Sequence, residues 1–319
     1  MVACGRDRAW SRSACHGAPV PIFPSSSTGR GLARSDGIAQ TEAGTSGGKS
    51  VAQGDTVFAG SIPQFYDQKL GGLLFAPYAA DLATRLKSLA SGRLLETAAG
   101  TGIVTRQLAT HLPAAVEIVA TDLNQPMLDY AASQPGLHRV KWQPADAQAL
   151  PFPESSFNVV VCQFGAMFFP DRVKAYREAR RVLKPGGQLL FNVWDRLDTT
   201  PVMAAAVEGL ARRYPQQDSW FLDRTPCGYH DQAVIGADLK AAGFTVVRTH
   251  VVKLTGKLGS ALDAAIGLCQ GTPMRAEIEA LDKDGLDAAT SAAAEVIAAR
   301  CGQGPRATPL QAVVVEASK

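Results

Sequence analysis

The chain has 319 residues, 46% of them hydrophobic and 19% charged, enough to bury one large α/β core or two small ones and too apolar for disorder throughout. Its formal charge of +3, with Arg6, Arg8, Arg12, Arg30, Arg34 and Lys49 set against four acids before residue 56, leaves no basic face to neutralise phosphates, so nucleic acid is not an expected partner. Cys4, Cys15, Cys162, Cys227, Cys269 and Cys301 are widely spread, with no Cys-x-x-Cys pair and no histidine at ligand spacing; this excludes a disulfide framework, predicts that no metal is bound, and points to a reducing, cytoplasmic compartment.

Residues 1–55 are rich in Ser, Gly, Arg and Pro without a sustained period, and read as a disordered extension. An organellar transit peptide is the alternative, against which stand Asp7 and the prolines at 19, 21 and 24. Residues 56–319 read as one domain. From Ser61 the pattern is helical, with Ala79, Ala83, Leu86 and Ala90 on one face and Ser91-Gly92 as the stop.

Strands and helices then alternate. Arg93 to Thr97 is a strand and Ile103 to His111 a helix; Val116 to Thr121 is a strand, and Pro126 to Ser133 a helix with Asn124 as N-cap. Val140 to Gln143 and Phe157 to Gln163 are strands. The apolar run Val159 to Phe169 is too short to span a bilayer, so no membrane span is expected. Asp171 to Leu183 is a helix and Gln188 to Trp194 a strand. Helical crossovers of this length make the sheet parallel and doubly wound. A helix from Pro201 to Arg213 follows, then one from Asp231 to Ala242 closed by Gly243, and a strand from Phe244 to Val252. Residues 258–302 read as a helical insertion acting as a lid, and Leu310 to Glu316 as a final strand forming an antiparallel edge.

The segment Glu96-Thr-Ala-Ala-Gly-Thr-Gly102 is a tight strand-to-helix turn. A phosphate loop would need a Lys-Ser/Thr pair after the last glycine, where Ile103 and Val104 stand. A dinucleotide site would need a third glycine, where Thr105 stands. Asp122 ends the second strand, where a carboxylate accepts from ribose hydroxyls, and Asp146 ends the third, within reach of an adenine amino group. Three strand ends thus face one adenosine-like ligand, NAD included.

In order and spacing, Glu96 to Gly102, Ala120-Thr-Asp-Leu-Asn124, Ala145-Asp-Ala147 with Leu150-Pro-Phe152, Ser156 to Val160 and Arg181-Val-Leu-Lys-Pro-Gly-Gly187 resemble the class I S-adenosylmethionine-dependent methyltransferases. The resemblance covers roughly residues 60 to 250 and is nearest the small-molecule branch that contains the ubiquinone and menaquinone biosynthesis methyltransferases. It implies a Rossmann-like, mostly parallel seven-stranded sheet and S-adenosyl-L-methionine as cofactor. It also implies that Gly100, Thr101 and Gly102 let the backbone approach the methionyl part, with Glu96 orienting it. Asp122 would hold the ribose, Leu123 and Met127 would flank the adenine, Asp146 and Ala147 would read its edge, and the main chain at Cys162 and Gln163 would meet the methionyl amino group. The family's first glycine is Ala98 here, and the Arg-Asn pair of the quinone branch is replaced by Cys162-Gln163.

Methyl transfer from a sulfonium needs alignment and exclusion of water, and needs a base only when the acceptor loses a proton. Candidate bases are His230 and Asp195, each with a capping or packing role as the alternative. Tyr66 is placed to cover the cofactor from the N-terminal helix. Phe164 to Phe169 with Trp194 and Trp220 predict an apolar pocket for a small-molecule acceptor. The competing readings are an NAD-dependent oxidoreductase, which lacks a Tyr-x-x-x-Lys pair here, and a non-catalytic cofactor-binding protein.

Overall fold

Short runs of Val, Ile and Leu pair into a single sheet because the central runs are buried on both faces and can satisfy their backbone only against a neighbour. In a computed structural model the strands are β1 (Gly92–Glu96), β2 (Val116–Asp122), β3 (Val140–Pro144), β4 (Phe157–Gln163), β5 (Leu183–Trp194), β6 (Val246–Leu258) and β7 (Arg306–Ser318). Residues 62–319 are described; the extension expected for residues 1–55 lies outside the described residues. The strand order is β3-β2-β1-β4-β5-β7-β6, with β1 to β5 parallel and β7 antiparallel to both its neighbours. Strand order reverses between β1 and β4, which opens a crevice at the carboxyl edge beside the turn after β1.

The helices are α1 (Ile62–Phe65), α2 (Ala76–Arg85), α3 (Ile103–His111), α4 (Gln125–Ala132), α5 (Arg172–Val182), α6 (Pro201–Arg213), α7 (Phe221–Arg224), α8 (Gln232–Ala241), α9 (Ala261–Gln270), α10 (Met274–Leu281) and α11 (Leu286–Cys301). Between α1 and α2 the chain winds as a π-helix, Tyr66–Phe75. Caps expected from sequence hold α5 and α8: the Asp171 carboxylate accepts from the Lys174 N–H, and that of Asp231 from the Ala233 and Val234 N–H groups. Asn124 does occupy the N-cap of α4, but its side chain makes no cap bond and turns to Asp122 instead.

Two features differ from the sequence reading. The C-terminal strand is antiparallel, as expected, yet it lies one place in from the edge. Val313, Val314 and Val315 are fully buried and need a strand on either side, whereas the mostly exposed β6 tolerates the edge. Strand β6 also runs on to Leu258, paired with β7 along its whole length, with Lys253, Thr255 and Lys257 facing solvent in alternation with Leu254, Gly256 and Leu258. Residues 258–302 otherwise form α9, α10 and α11, as expected.

Close backbone contact fixes α11 against α6. A Cβ added at Gly209 would lie 2.5 Å from the Ala292 carbonyl oxygen and 2.7 Å from the Ala293 Cα, atoms that cannot yield without moving the helix. Gly209→Ala should therefore destabilise the protein by about 1–3 kcal/mol, although alanine is the better helix former; urea unfolding midpoints compared at constant m-value check it.

Candidate active site

The turn leaving β1 is held in left-handed backbone at Ala98 (φ 52), Gly100 (φ 55) and Gly102 (φ 78). At Gly102 a side chain would crowd Ala131 Cβ at 3.1 Å and Trp142 Cη2 at 3.2 Å. A Cβ at Gly100 would meet nothing within 4 Å, since that position opens on the crevice. Ala98 carries a methyl group where only glycine is at ease, a strain of about 1–2 kcal/mol. Gly165 makes room for it, because a Cβ there would lie 2.5 Å from the Ala98 Cβ.

Asp122 fixes this turn to β2. Its Oδ2 accepts from the Gly100 N–H at 2.8 Å and its Oδ1 from the Asn124 N–H at 2.8 Å. The residue is 7% exposed, and burial pushes its carboxyl upward against those stabilising N–H groups. The N-terminal helix is pinned from the other side by Asp67. Its Oδ1 accepts from the Thr101 hydroxyl at 2.9 Å and from Arg106 Nη2 at 2.6 Å, and Arg106 Nη1 donates to the Thr101 carbonyl at 3.0 Å. This clamp brings Tyr66 over the crevice, stacked on Phe75 with ring centroids 4.6 Å apart. Burial, then Asp122 and Asp67, push the Tyr66 phenol far above its ordinary value, so it stays neutral.

The crevice encloses a cavity of about 200 Å³. Tyr66, Gly100, Asp122, Leu123, Met127, Asp146, Ala147 and Gln163, all singled out in the sequence, line it. Leu123 is 64% exposed, a large apolar side chain left open at the mouth. Glu96 and Thr101 line a smaller adjoining hollow shared with Tyr66, Gly100 and Gln163. The Glu96 carboxyl is 1% exposed and accepts from the Thr105 hydroxyl at 2.7 Å; burial pushes it up to about 8, and among the described residues it forms no ion pair. The Gln163 Nε2 donates to the Phe75 carbonyl at 3.3 Å, while its buried Oε1 has no partner among the described residues. The site thus offers a carboxyl lacking a cation and a carbonyl lacking a donor, side by side.

The Cys162 side chain lines a separate small void with Tyr176 and Phe191, where burial pushes its thiol up to about 12, which leaves only its main chain for the expected contact. The Thr101 hydroxyl is committed to Asp67. Neither candidate base lines the crevice: His230 Nδ1 is 2.8 Å from the Cys227 carbonyl, and Asp195 accepts from the Arg196 N–H and from Gln311 Nε2 at 2.7 Å each.

Behind the crevice is an apolar chamber of about 40 Å³, and Tyr66, Phe164 and Phe168 line both. Leu70, Leu74 and Phe75 of the π-helix, Trp194, Phe221 and Leu268 close it. Trp220, expected there, instead packs on Tyr214 with centroids 6.0 Å apart, and its neighbours Phe221 and Leu222 take the place. Phe164 adopts left-handed backbone (φ 49). Its N–H donates to both the backbone oxygen and Oδ1 of Asn192, at 3.1 and 3.0 Å, and its ring lies 4.0 Å from the Trp194 ring at 4°. Asp67, Gly165 and Asn192 were missed in the sequence; nothing local marks them, since each acts on a segment distant along the chain.

A family profile described as a methyltransferase domain matches residues 95–191. A ubiquinone/menaquinone biosynthesis C-methyltransferase of Caulobacter vibrioides is 30% identical over 180 residues, 51% of this chain and 71% of the relative. A demethylmenaquinone methyltransferase of Thermus thermophilus is 40% identical over 122 residues, 35% of this chain and 54% of the relative. Several curated relatives, that one included, are spanned over only about half their length, 41% to 54%. Among solved structures, phosphoethanolamine N-methyltransferase 2 of Haemonchus contortus, in complex with phosphomonomethylethanolamine and S-adenosylhomocysteine, aligns with a TM-score of 0.51 at 19% identity, over 81% of this chain and 56% of that one. At that identity the likeness is one of fold.

Glu96 gives the ligand-free protein a pH signature. Its folded carboxyl titrates at about 8 against an ordinary 4.5, so the folded state holds the extra proton between those values. The associated stability is complete below the unfolded value and is lost as pH rises through the folded one. Urea midpoints should fall from about pH 5 to about pH 8.5, and Glu96→Gln should flatten that fall, leaving only the part due to the likewise raised Asp122.

Proposed function

The chain belongs to the class I S-adenosylmethionine-dependent methyltransferases, and from that premise we propose that it is an enzyme transferring the cofactor's methyl group to a small, partly apolar acceptor in the cytoplasm. The observation that carries this is the pairing of a polar, acid-lined crevice with an apolar chamber across one aromatic wall. When bound, the cofactor supplies a methyl group activated on a sulfonium. Asp122 would accept from the ribose hydroxyls with the lone pairs left free by Gly100 and Asn124. Leu123 and Met127 would flank the adenine, and Asp146 and Ala147 would meet its edge. Glu96 and the unpartnered Gln163 Oε1 suit a methionyl ammonium, which would give the buried carboxyl its missing cation. The side-chain-free opening at Gly100 fits a ligand pressed against the turn.

The protein's contribution to the step is alignment and dryness. Tyr66, Phe164 and Phe168 line both spaces, so donor and acceptor would meet beside these three rings. A dinucleotide is less well served, because Thr105 occupies the third-glycine position and holds Glu96 beside the turn, where a pyrophosphate would meet a carboxyl. The four cysteines of the described residues are free and buried, which supports a reducing compartment.

Asp122→Ala should weaken S-adenosylhomocysteine binding by about 1.5–3 kcal/mol, roughly ten- to a hundredfold. Calorimetric titration measures it. Unchanged affinity in a folded variant removes Asp122 from the site, and tight binding of NADH without S-adenosylhomocysteine binding overturns the whole assignment.

A further inference from the structure

Where the adenine would sit, two loops line the crevice: that after β3, with Asp146, Ala147 and Gln148, and that after β4, with Phe169 and Pro170. Gln148 joins them. Its Oε1 accepts from the N–H of Asp171, the N-cap of α5, at 3.0 Å. Its Nε2 lies 3.3 and 3.5 Å from the two carboxylate oxygens of Asp146. These neighbours fix the orientation of the amide, since an N–H donor needs the oxygen and a carboxylate needs the NH2 group. Farther along, the same loop is tied to α5 again: the Leu150 N–H donates to Glu178 Oε2, and Arg181 Nη2 donates to the Leu150 carbonyl, both at 2.9 Å.

Asp146 is exposed, and the last torsion of an Asp side chain is broad, so its carboxylate needs a partner to hold its plane. The Gln148 N–H donates to Oδ1 at 2.8 Å. Oδ2 has only the 3.5 Å approach of Nε2 among the described residues, which leaves its lone pairs for a ligand. On the reading of the crevice given above, we propose that Gln148 is a positioning residue that fixes nucleobase selectivity: anchored to the start of α5, it presents Asp146 Oδ2 to the exocyclic group of the purine. A carboxylate oxygen held in place accepts from the amino group of adenine and repels the carbonyl oxygen that hypoxanthine carries there. A carboxylate free to turn would move off that carbonyl and discriminate less.

Calorimetric titration of the full chain with S-adenosylhomocysteine and with S-inosylhomocysteine, which differ at that position of the purine, tests this. The native chain should bind the adenosyl compound at least about tenfold more tightly. Gln148→Met keeps the length of the side chain without its polar end, and should cut that ratio about threefold or more. Gln148→Asn keeps the amide on a stem too short to reach from Asp171 to Asp146, and should do the same. A general loosening of the loop would weaken both ligands alike and leave the ratio where it was. No preference in the native chain, or a native ratio in either variant with its urea midpoint intact, would overturn the inference. A native ratio in Asp146→Ala, or a chain that binds neither compound, would overturn the reading of the site on which it rests.

Discussion

The buried carboxylate of Asp122 is the contact on which the crevice depends. It ends β2, yet it accepts from the N–H of Gly100 in the turn after β1 and from that of Asn124 at the start of α4. One side chain therefore joins two strand ends and a helix N-terminus around the point where strand order reverses. A carboxylate with little access to water is costly unless backbone donors replace its hydration, and the left-handed residues of the turn are what aim the Gly100 N–H. Backbone shape and charge thus fix each other: without the turn Asp122 would be unsolvated, and without Asp122 the Gly100 N–H would have no partner inside the protein.

Strain is stored along the crevice. Ala98 and Phe164 are both non-glycine residues in left-handed backbone, and each is over-determined by its surroundings. Gly165 leaves space for the Ala98 methyl, while Asn192 grips the Phe164 N–H twice and Trp194 stacks on its ring. Tyr78 meets both rings edge-on, at 5.4 and 5.7 Å. A residue held off its preferred conformation by several neighbours cannot drift, and this is the rigidity that aligning donor with acceptor requires.

The fold was legible in the sequence wherever one local rule decided the outcome. Bounds of α3, α6 and β4 follow from apolar runs bracketed by turn residues, and Asp171 and Asp231 announce their helices as caps. Asp122 and Asp146 were found because strand ends in a parallel sheet face one crevice. What escaped notice depends on registers between distant segments. Asp67 matters because the π-helix swings it onto Thr101 and Arg106, and Asn192 because β5 lies beside β4. The position of β7 escaped for the same reason: an apolar Val-Val-Val run states burial but not which strand will cover it. His230 and Asp195 were plausible bases by type and neighbourhood in sequence, and both are committed to loop contacts.

The absence of a base among the residues lining the chamber follows from how the site divides its work. Among the described residues, the carboxyl groups lining the two spaces, Glu96, Asp122 and Asp146, all lie on the crevice side, where N–H groups and the Thr105 hydroxyl donate to them. A carboxylate placed on the chamber side would lack such partners, and desolvation would either neutralise it or dislodge it toward water. The same π-helix that carries Asp67 to the glycine turn presents Leu70, Leu74 and Phe75 to the chamber, so the polar clamp and the apolar lining share one element.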